Sequence, residues 1–87
     1  MYRLRQGLRL RRGPSETFWA LDLESGEHYE VNGIAFEVLE ALEGGAELET
    51  IVLKLADEYS TGEDTVRADV AELLEKCATE GLVTREA

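Results

Sequence analysis

The chain has 87 residues, of which 44% are hydrophobic, and it carries a net charge of −10 at pH 7. This length and composition predict one folded domain over residues 1–87, with a modest core. There is no apolar run of the ~18 residues a membrane span needs and no signal-peptide pattern, so we expect a soluble cytoplasmic protein. One cysteine and one histidine exclude an internal disulfide and a metal site built by a single chain.

The charge is divided unevenly along the sequence. Residues 1–14 contain five arginines and no acid, giving +5, whereas residues 15–87 contain all 19 acids and the other four bases, giving −15. The isoelectric point near 4.4 opposes binding to nucleic-acid phosphates, which requires a positive surface. The acidity favours basic or neutral partners, and it also keeps a small domain soluble.

Residues 2–31 show the period of two that is typical of strands. Tyr2 to Leu10 alternates apolar residues with arginines, which predicts one amphipathic strand, or two short strands broken near Gln6-Gly7. A second strand is predicted over Glu16–Leu23, with Trp19 in the core. A tight turn containing Gly26 follows.

The third predicted strand, Glu27–Val31, pairs antiparallel with the second strand and ends the sheet. One of its edges therefore lacks a partner, and its N–H and C=O groups are available to an added strand.

Residues 32–87 show a period near 3.6. The pattern predicts helices over about 33–43, 46–59 and 62–79, followed by a short extended tail at 82–84. Asn32 is the predicted cap of the first helix, and Thr61 with Asp64 forms a partial capping box for the third. The fold class is therefore α+β, a winged helix-turn-helix-like layout with a three-stranded antiparallel N-terminal sheet followed by three helices.

The sequence contains no recognisable catalytic constellation. His28 is the only histidine, Cys77 lies on the apolar stripe of the third helix, and no phosphate-binding glycine loop is present. We therefore predict a protein that is not an enzyme, has no cofactor and binds a macromolecule. A winged-helix layout suggests DNA, but the third helix together with Glu80, which follows it, carries six acids against two bases, so this surface would repel phosphates.

Three segments together resemble a known family. They are the run from His28 to Asn32 with the helix ending at Gly44-Gly45, the segment from Leu48 to Val70, and the end from Leu73 to Val83. In order and spacing they resemble the PqqD-like proteins, named after protein D of pyrroloquinoline quinone biosynthesis. These are recognition elements for ribosomally synthesised and post-translationally modified peptides (RiPPs). The length and standalone form resemble the discrete leader-binding protein of lasso peptide biosynthesis.

The resemblance implies that the leader of a precursor peptide pairs antiparallel with the third strand, in a groove against the third helix. The residues assigned to peptide binding are Glu27, His28, Tyr29, Glu30, Val31, Val66, Arg67, Asp69, Val70, Leu73, Leu74 and Cys77. The apolar members of this set, with Cys77, are assigned to the groove floor, so Leu74→Glu is expected to weaken leader binding without unfolding the protein.

The resemblance also implies other partners. A separate leader peptidase, a transglutaminase-like cysteine protease, would act on the bound precursor, and the macrocycle-forming enzyme would follow it. The basic first strand is one candidate surface for the peptidase. No nucleic-acid or membrane partner is expected. Two other hypotheses remain open, a winged-helix nucleic-acid-binding protein and an adaptor subunit that associates with itself through its free strand edge.

Overall fold

The computed structural model describes residues 2–85. In chain order the elements are β1 (Tyr2–Leu4), β2 (Leu8–Arg12), a 3-10 turn (Pro14–Glu16), β3 (Phe18–Asp22), β4 (His28–Val31), α1 (Gly33–Glu43), α2 (Leu48–Tyr59), α3 (Glu63–Thr79) and β5 (Val83–Arg85). β2, β3 and β4 form an antiparallel sheet that precedes the three helices, which confirms the predicted α+β class. None of the helices within residues 2–85 is long and apolar enough to cross a membrane.

The N-terminal alternating segment forms two strands, the second of the two patterns the sequence allows. The extended backbone is interrupted at Gly7, whose φ of +90° is readily adopted only by glycine. β1 leaves the three-stranded sheet and pairs with β5, so that Tyr2 lies opposite Arg85 and Leu4 opposite Val83. The extended backbone of the C-terminal tail is predictable from its sequence, but its pairing is not, because no local pattern encodes a partner so distant in the chain.

The placement of Trp19 in the core is wrong. Trp19 is half-buried on the face of the sheet that points away from the helices, whereas Ala20 is fully buried on the helix side. Phe18 shares that inner face and packs against Phe36 of α1, with ring centroids 5.0 Å apart. Both faces of β3 carry apolar residues, so alternation alone does not reveal which face the helices cover.

The caps of α1 and α3 differ in how they match the sequence prediction. Asn32 caps α1 as predicted, since its Oδ1 accepts a hydrogen bond from the backbone N–H of Ala35 at 2.8 Å. The predicted capping box at α3 is absent. Gly62 occupies the cap position without a side-chain hydrogen bond, and the hydroxyl of Thr61 donates to the carbonyl oxygen of Tyr59 instead. Thr61 therefore belongs to the end of α2 and not to the start of α3.

The core lies between the inner face of the sheet and the three helices. Its fully buried large side chains come from α1, α2, α3 and the residue just before β5. They are Leu39, Leu74, Leu82, Val38 and Val52. The core thus joins the three helices to the inner face of the sheet. The surface where the end of β4 meets α2 and α3 is the place where a candidate binding site can form.

Candidate peptide-binding site

β4 is an edge strand with two outward-facing residues. It has one neighbour in the described part of the chain, β3, with Tyr29 opposite Ala20 and Val31 opposite Phe18. At the start of this pair, the N–H of Asp22 donates to the carbonyl of Glu27 at 2.9 Å. Because hydrogen-bonded and non-bonded pairs alternate in an antiparallel ladder, Tyr29 and Val31 bond to β3. The backbone N–H and C=O groups of His28 and Glu30, which alternate with these two residues, therefore point outward to the free edge.

Asp22 anchors the turn that leads into β4. Its carboxylate is buried, accepts hydrogen bonds from the N–H groups of Glu24 and Ser25 at 2.9 and 3.3 Å, and pairs with Arg5. Desolvation acts to raise the pKa of Asp22, but the hydrogen bonds from Arg5, Glu24 and Ser25 outweigh it and hold the pKa below its usual value. The charged carboxylate therefore stabilises the turn that sets the position of the strand edge.

A groove of about 280 Å³ lies where the end of β4 meets the helices. Its walls come from the β4–α1 junction, the C-terminal half of α2, Thr61, and the part of α3 from Val66 to Leu73. The lining residues are Asn32, Ile34, Leu55, Tyr59, Thr61, Val66, Asp69, Val70 and Leu73. Asp69 is the one charged residue among them. The groove is suited to an apolar side chain that carries or adjoins a positive charge.

The floor and rim of this groove differ in exposure. Leu55, Val66 and Val70 are buried and form the floor. Ile34 and Tyr59 stand at the rim and are 49% and 48% exposed. These two side chains also border a larger cavity of about 780 Å³ on their other side, so they form a ridge between the two spaces. Large apolar side chains left this exposed are common where a partner binds.

The predicted site residues fall into three groups in the structure. Four of them line the groove: Val66, Asp69, Val70 and Leu73. Five belong to β4 or its approach: Glu27, His28, Tyr29, Glu30 and Val31. The remaining three, Arg67, Leu74 and Cys77, are not among the residues that line the groove.

On β4, the side chains alternate between the two faces of the sheet. Tyr29 and Val31 are half-buried and pack against the core, whereas His28 and Glu30 are exposed. The hydroxyl of Tyr29 donates to Glu27 at 2.6 Å, and this hydrogen bond raises the pKa of the Tyr29 phenol. The strand thus offers its backbone at the edge while its apolar side chains hold it on the core.

Leu74 and Cys77 lie in the core and not on the groove surface. Leu74 has no exposed surface and Cys77 is 5% exposed. Both belong to the buried stripe of α3, which consists of Val66, Val70, Leu74 and Cys77. Only the first two residues of this stripe border the groove. The expectation that Leu74→Glu spares the fold is therefore corrected. Burial also raises the pKa of the Cys77 thiol, with Glu80 adding to the effect, which disfavours the thiolate.

Arg67 links two helices instead of facing the groove. Its guanidinium donates to both carboxylate oxygens of Glu49, at the start of α2, and to Asp64 at 3.1 Å. The hydrogen bonds that Arg67 donates to the Glu49 carboxylate raise the pKa of the guanidinium. Sequence analysis assigned Arg67 to the peptide along with its neighbours on the third helix, but its pairing between α2 and α3 is a tertiary feature that no local pattern reveals.

Five groove residues are absent from the sequence-based set. Asn32, Ile34, Leu55, Tyr59 and Thr61 come from the ends of three different elements. Ile34 carried a usable signal, since it is a large apolar residue that does not fit the buried stripe of α1. No group of His, Cys, Asp or Glu residues within 2–85 is arranged to hold a metal ion.

The family is decided by the match between the sequence and a family model. Residues 19–83 match the model of coenzyme PQQ synthesis protein D. The chain belongs to the PqqD family. The match begins in β3 and ends at the start of β5, so it includes β4, all three helices and every groove residue. No curated protein sequence matches the chain significantly.

Two solved structures of proteins with bound leader peptides have the same fold. TbiB1, in complex with the TbiA(β) leader peptide, is 22% identical, with 98% of each chain covered and a TM-score of 0.83. A lasso peptide synthetase B1 complexed with the leader peptide is 23% identical, with 97% of this chain and 98% of that one covered and a TM-score of 0.82.

The family's namesake is also similar in structure. The solution NMR structure of the PqqD truncation of Methylobacterium extorquens PqqCD represents a functional, stand-alone RiPP recognition element. It is 24% identical to this chain, with 97% of this chain and 88% of that one covered and a TM-score of 0.80. The architecture of this PqqD-family protein is therefore shared by proteins that differ at about three quarters of their residues.

Proposed function

We propose that this PqqD-family protein binds the leader of a ribosomally synthesised precursor peptide as an added strand on β4, against α3. The observation that carries the proposal is the free edge of β4, whose C-terminal end leads directly into Asn32 in the wall of the apolar groove. The outward backbone groups of His28 and Glu30 pair with the leader, and alternate leader side chains enter the groove. Family membership supports the proposal, as do two similar structures that hold leader peptides.

The groove provides most of the selectivity. Each main-chain hydrogen bond contributes a net of about 0.5–1.5 kcal/mol. The few such bonds that His28 and Glu30 can make therefore barely offset an association cost of at least ~4 kcal/mol. Burying one leucine-sized side chain adds about 1.5–3 kcal/mol, so apolar leader residues that reach Leu55, Val66 and Val70 decide the affinity. Asp69 at the groove favours a nearby lysine or arginine, and main-chain pairing itself is indifferent to sequence.

The protein presents the leader and leaves the chemistry to other proteins. His28 is exposed on an edge strand and Cys77 is buried, so neither is placed as an activated nucleophile or base. A separate leader peptidase, a transglutaminase-like cysteine protease, acts on the bound precursor, and a macrocycle-forming enzyme completes a lasso peptide. Holding the precursor on the same complex raises its effective concentration at the peptidase.

The first experiment is a titration of fluorescently labelled leader peptide from the same gene cluster. We expect saturable binding with a Kd at or below about 10–50 µM. Leu73→Glu, at the groove, should weaken binding about tenfold or more by placing a carboxylate in the apolar path. Leu53→Glu is the matched control, because Leu53 is 48% exposed on α2 and outside the groove. Absence of saturable binding in this range contradicts the proposal.

The second experiment tests strand addition itself by amide hydrogen exchange. The amides of His28 and Glu30 should exchange rapidly in the free protein and slowly with leader bound, whereas those of Tyr29 and Val31 are protected in both states. If binding leaves the His28 and Glu30 amides unchanged, the leader docks elsewhere. Sedimentation without peptide separates this from self-association, in which the same amides are already protected at high protein concentration.

A further inference from the structure

The sheet has a second face that no helix covers. Along β3, side chains alternate, so Trp19, Leu21 and Leu23 point away from the core while Phe18 and Ala20 point into it. Trp19 and Leu21 are half-buried, and Leu23 is 60% exposed, the largest exposure among the big apolar side chains of residues 2–85. We call Trp19, Leu21 and Leu23 the outer stripe. It runs along the middle of the sheet to the β3–β4 turn.

Two arginines flank the outer stripe on one side. Arg9 lies opposite Leu21 and Arg11 opposite Trp19 in the β2–β3 register. Both are exposed, and neither is ion-paired within residues 2–85. Two other arginines of this segment are engaged, Arg5 with Asp22 and Arg12 with Glu40. The β2 side of the outer face thus carries two positive charges, on a protein whose net charge is −10, while Glu30 lies on the β4 side of the same face.

The position of the outer stripe matches the path of a bound leader. An added strand antiparallel to β4, the arrangement of every pair in this sheet, runs from the Val31 end towards the Glu27 end. Its C-terminal side, which carries the bond to be cut, therefore leaves the protein at the turn between β3 and β4. Leu23 precedes that turn and is the most exposed part of the stripe.

We propose that the outer stripe, with Arg9 and Arg11, is the docking surface for the leader peptidase, whose matching surface has an apolar centre bordered by acidic residues. The inference rests on the proposed function. Apolar contact supplies the affinity, and the arginines steer an acidic partner towards a face that is set in an otherwise acidic molecule. Docking there holds the peptidase at the end of the sheet from which the scissile region emerges.

Two other occupants fit the observations less well. A second copy of the chain would bring two positive faces together. A nucleic acid would meet only two arginines on this face, one of which, Arg11, also donates a hydrogen bond to the carbonyl oxygen of Leu10. In addition, Glu30 lies directly opposite Trp19 in the β3–β4 register. The surface is therefore better matched to an acidic protein than to either of these.

The test measures leader cleavage by the purified peptidase of the same gene cluster, acting on a synthetic precursor held on the wild-type protein or a variant. Leu23→Glu and the double variant Arg9→Glu/Arg11→Glu should each lower the cleavage rate about tenfold at low salt, with leader Kd unchanged. Leu53→Glu, an equally drastic change of an exposed leucine elsewhere, should cleave at the wild-type rate. The two sets of variants change different parts of the surface, so misfolding of one does not decide the result.

The outcomes separate this inference from the proposed function. If the wild-type protein binds no leader, the proposed function fails and the docking surface fails with it. If leader binds normally and both outer-face variants support wild-type cleavage, only the docking surface is refuted. A dimer that Leu23→Glu disperses, or a fluorescent single-stranded oligonucleotide that binds wild type and not the arginine variant, also overturns it.

Discussion

Asp22 shows how one buried carboxylate controls the edge strand. It is the only buried polar or charged residue within residues 2–85, and its partners are Arg5 and the backbone of the turn before β4. Sequence reasoning treats this aspartate as an ordinary strand residue, because its partner Arg5 is 17 residues away along the chain and its burial depends on where the helices pack. A local pattern cannot reveal either fact.

The first prediction concerns the acid stability of the fold. Because the pKa of Asp22 in the folded protein lies below its usual value of 3.8, the charged form stabilises the fold above that pH. This contribution is lost as the pH falls below about 3.8 through the folded-state pKa. Asp22→Asn should lower the Tm at pH 7 and flatten its decline between pH 5 and 2. Asp57→Asn, an exposed aspartate on α2, should follow the wild-type curve in the same thermal scans.

The second prediction decides the role of Leu74. Since this side chain is fully buried in the core, Leu74→Ala should reduce the free energy of unfolding by about 2–5 kcal/mol through lost burial and a cavity. Urea denaturation measures the change. Leu53→Ala, which truncates a leucine that is 48% exposed, should stay within about 0.5 kcal/mol of wild type. A stable Leu74→Ala protein with weakened leader binding would instead place Leu74 in the groove.

At the scale of elements, local signals in the sequence were sufficient for the helices and for β4. The apolar periodicity, the Asn32 cap and the Gly44-Gly45 end set α1, and the alternation from His28 to Val31 set the edge strand. The groove was only half predictable, because it is made where the ends of separate elements meet. Ile34 and Tyr59 contribute through their position at such ends, which a stripe drawn along one helix does not capture.

The third prediction compares the two caps. Asn32→Ala should lower the free energy of unfolding by about 0.5–2 kcal/mol, because the N–H of Ala35 loses its side-chain acceptor. Asn32→Ser should retain most of it. Thr61→Ala should have little effect, since Thr61 makes no capping bond to α3. A loss of helicity near residues 63–66 in the Thr61 variant, seen by NMR chemical shifts, would restore the capping box.

For the whole molecule, the least predictable feature is the pairing of β1 with β5. This pairing holds Val83 in the core at 2% exposure, directly after Leu82, which is 1% exposed. The sequence marks these residues only as a short apolar tail after a glycine. Their burial depends on β1 crossing away from β2 at Gly7, a change of direction that the alternating pattern tolerates but does not require.

The fourth prediction tests this closing pair with neighbouring residues of the same strand. Val83→Asp should destabilise the fold by about 3–5 kcal/mol, because it buries a carboxylate without a partner. Thr84→Asp should be close to neutral, since Thr84 is exposed. Circular dichroism during urea unfolding gives both values. If the two substitutions destabilise the fold equally, the side chain of Val83 is no more buried than that of Thr84, and the prediction is wrong.

The β1–β5 pair also brings the first and last described residues of the chain next to each other. Residue 2 lies directly opposite residue 85, so a linker of a few residues could join them, and the chain could be reopened at the exposed Gly44-Gly45 corner between α1 and α2. In such a circular permutant the two strands become neighbours in sequence, and the hairpin of β3 and β4 is left intact. The order in which segments leave the ribosome would change, while the strand edge and the outer stripe would keep their places.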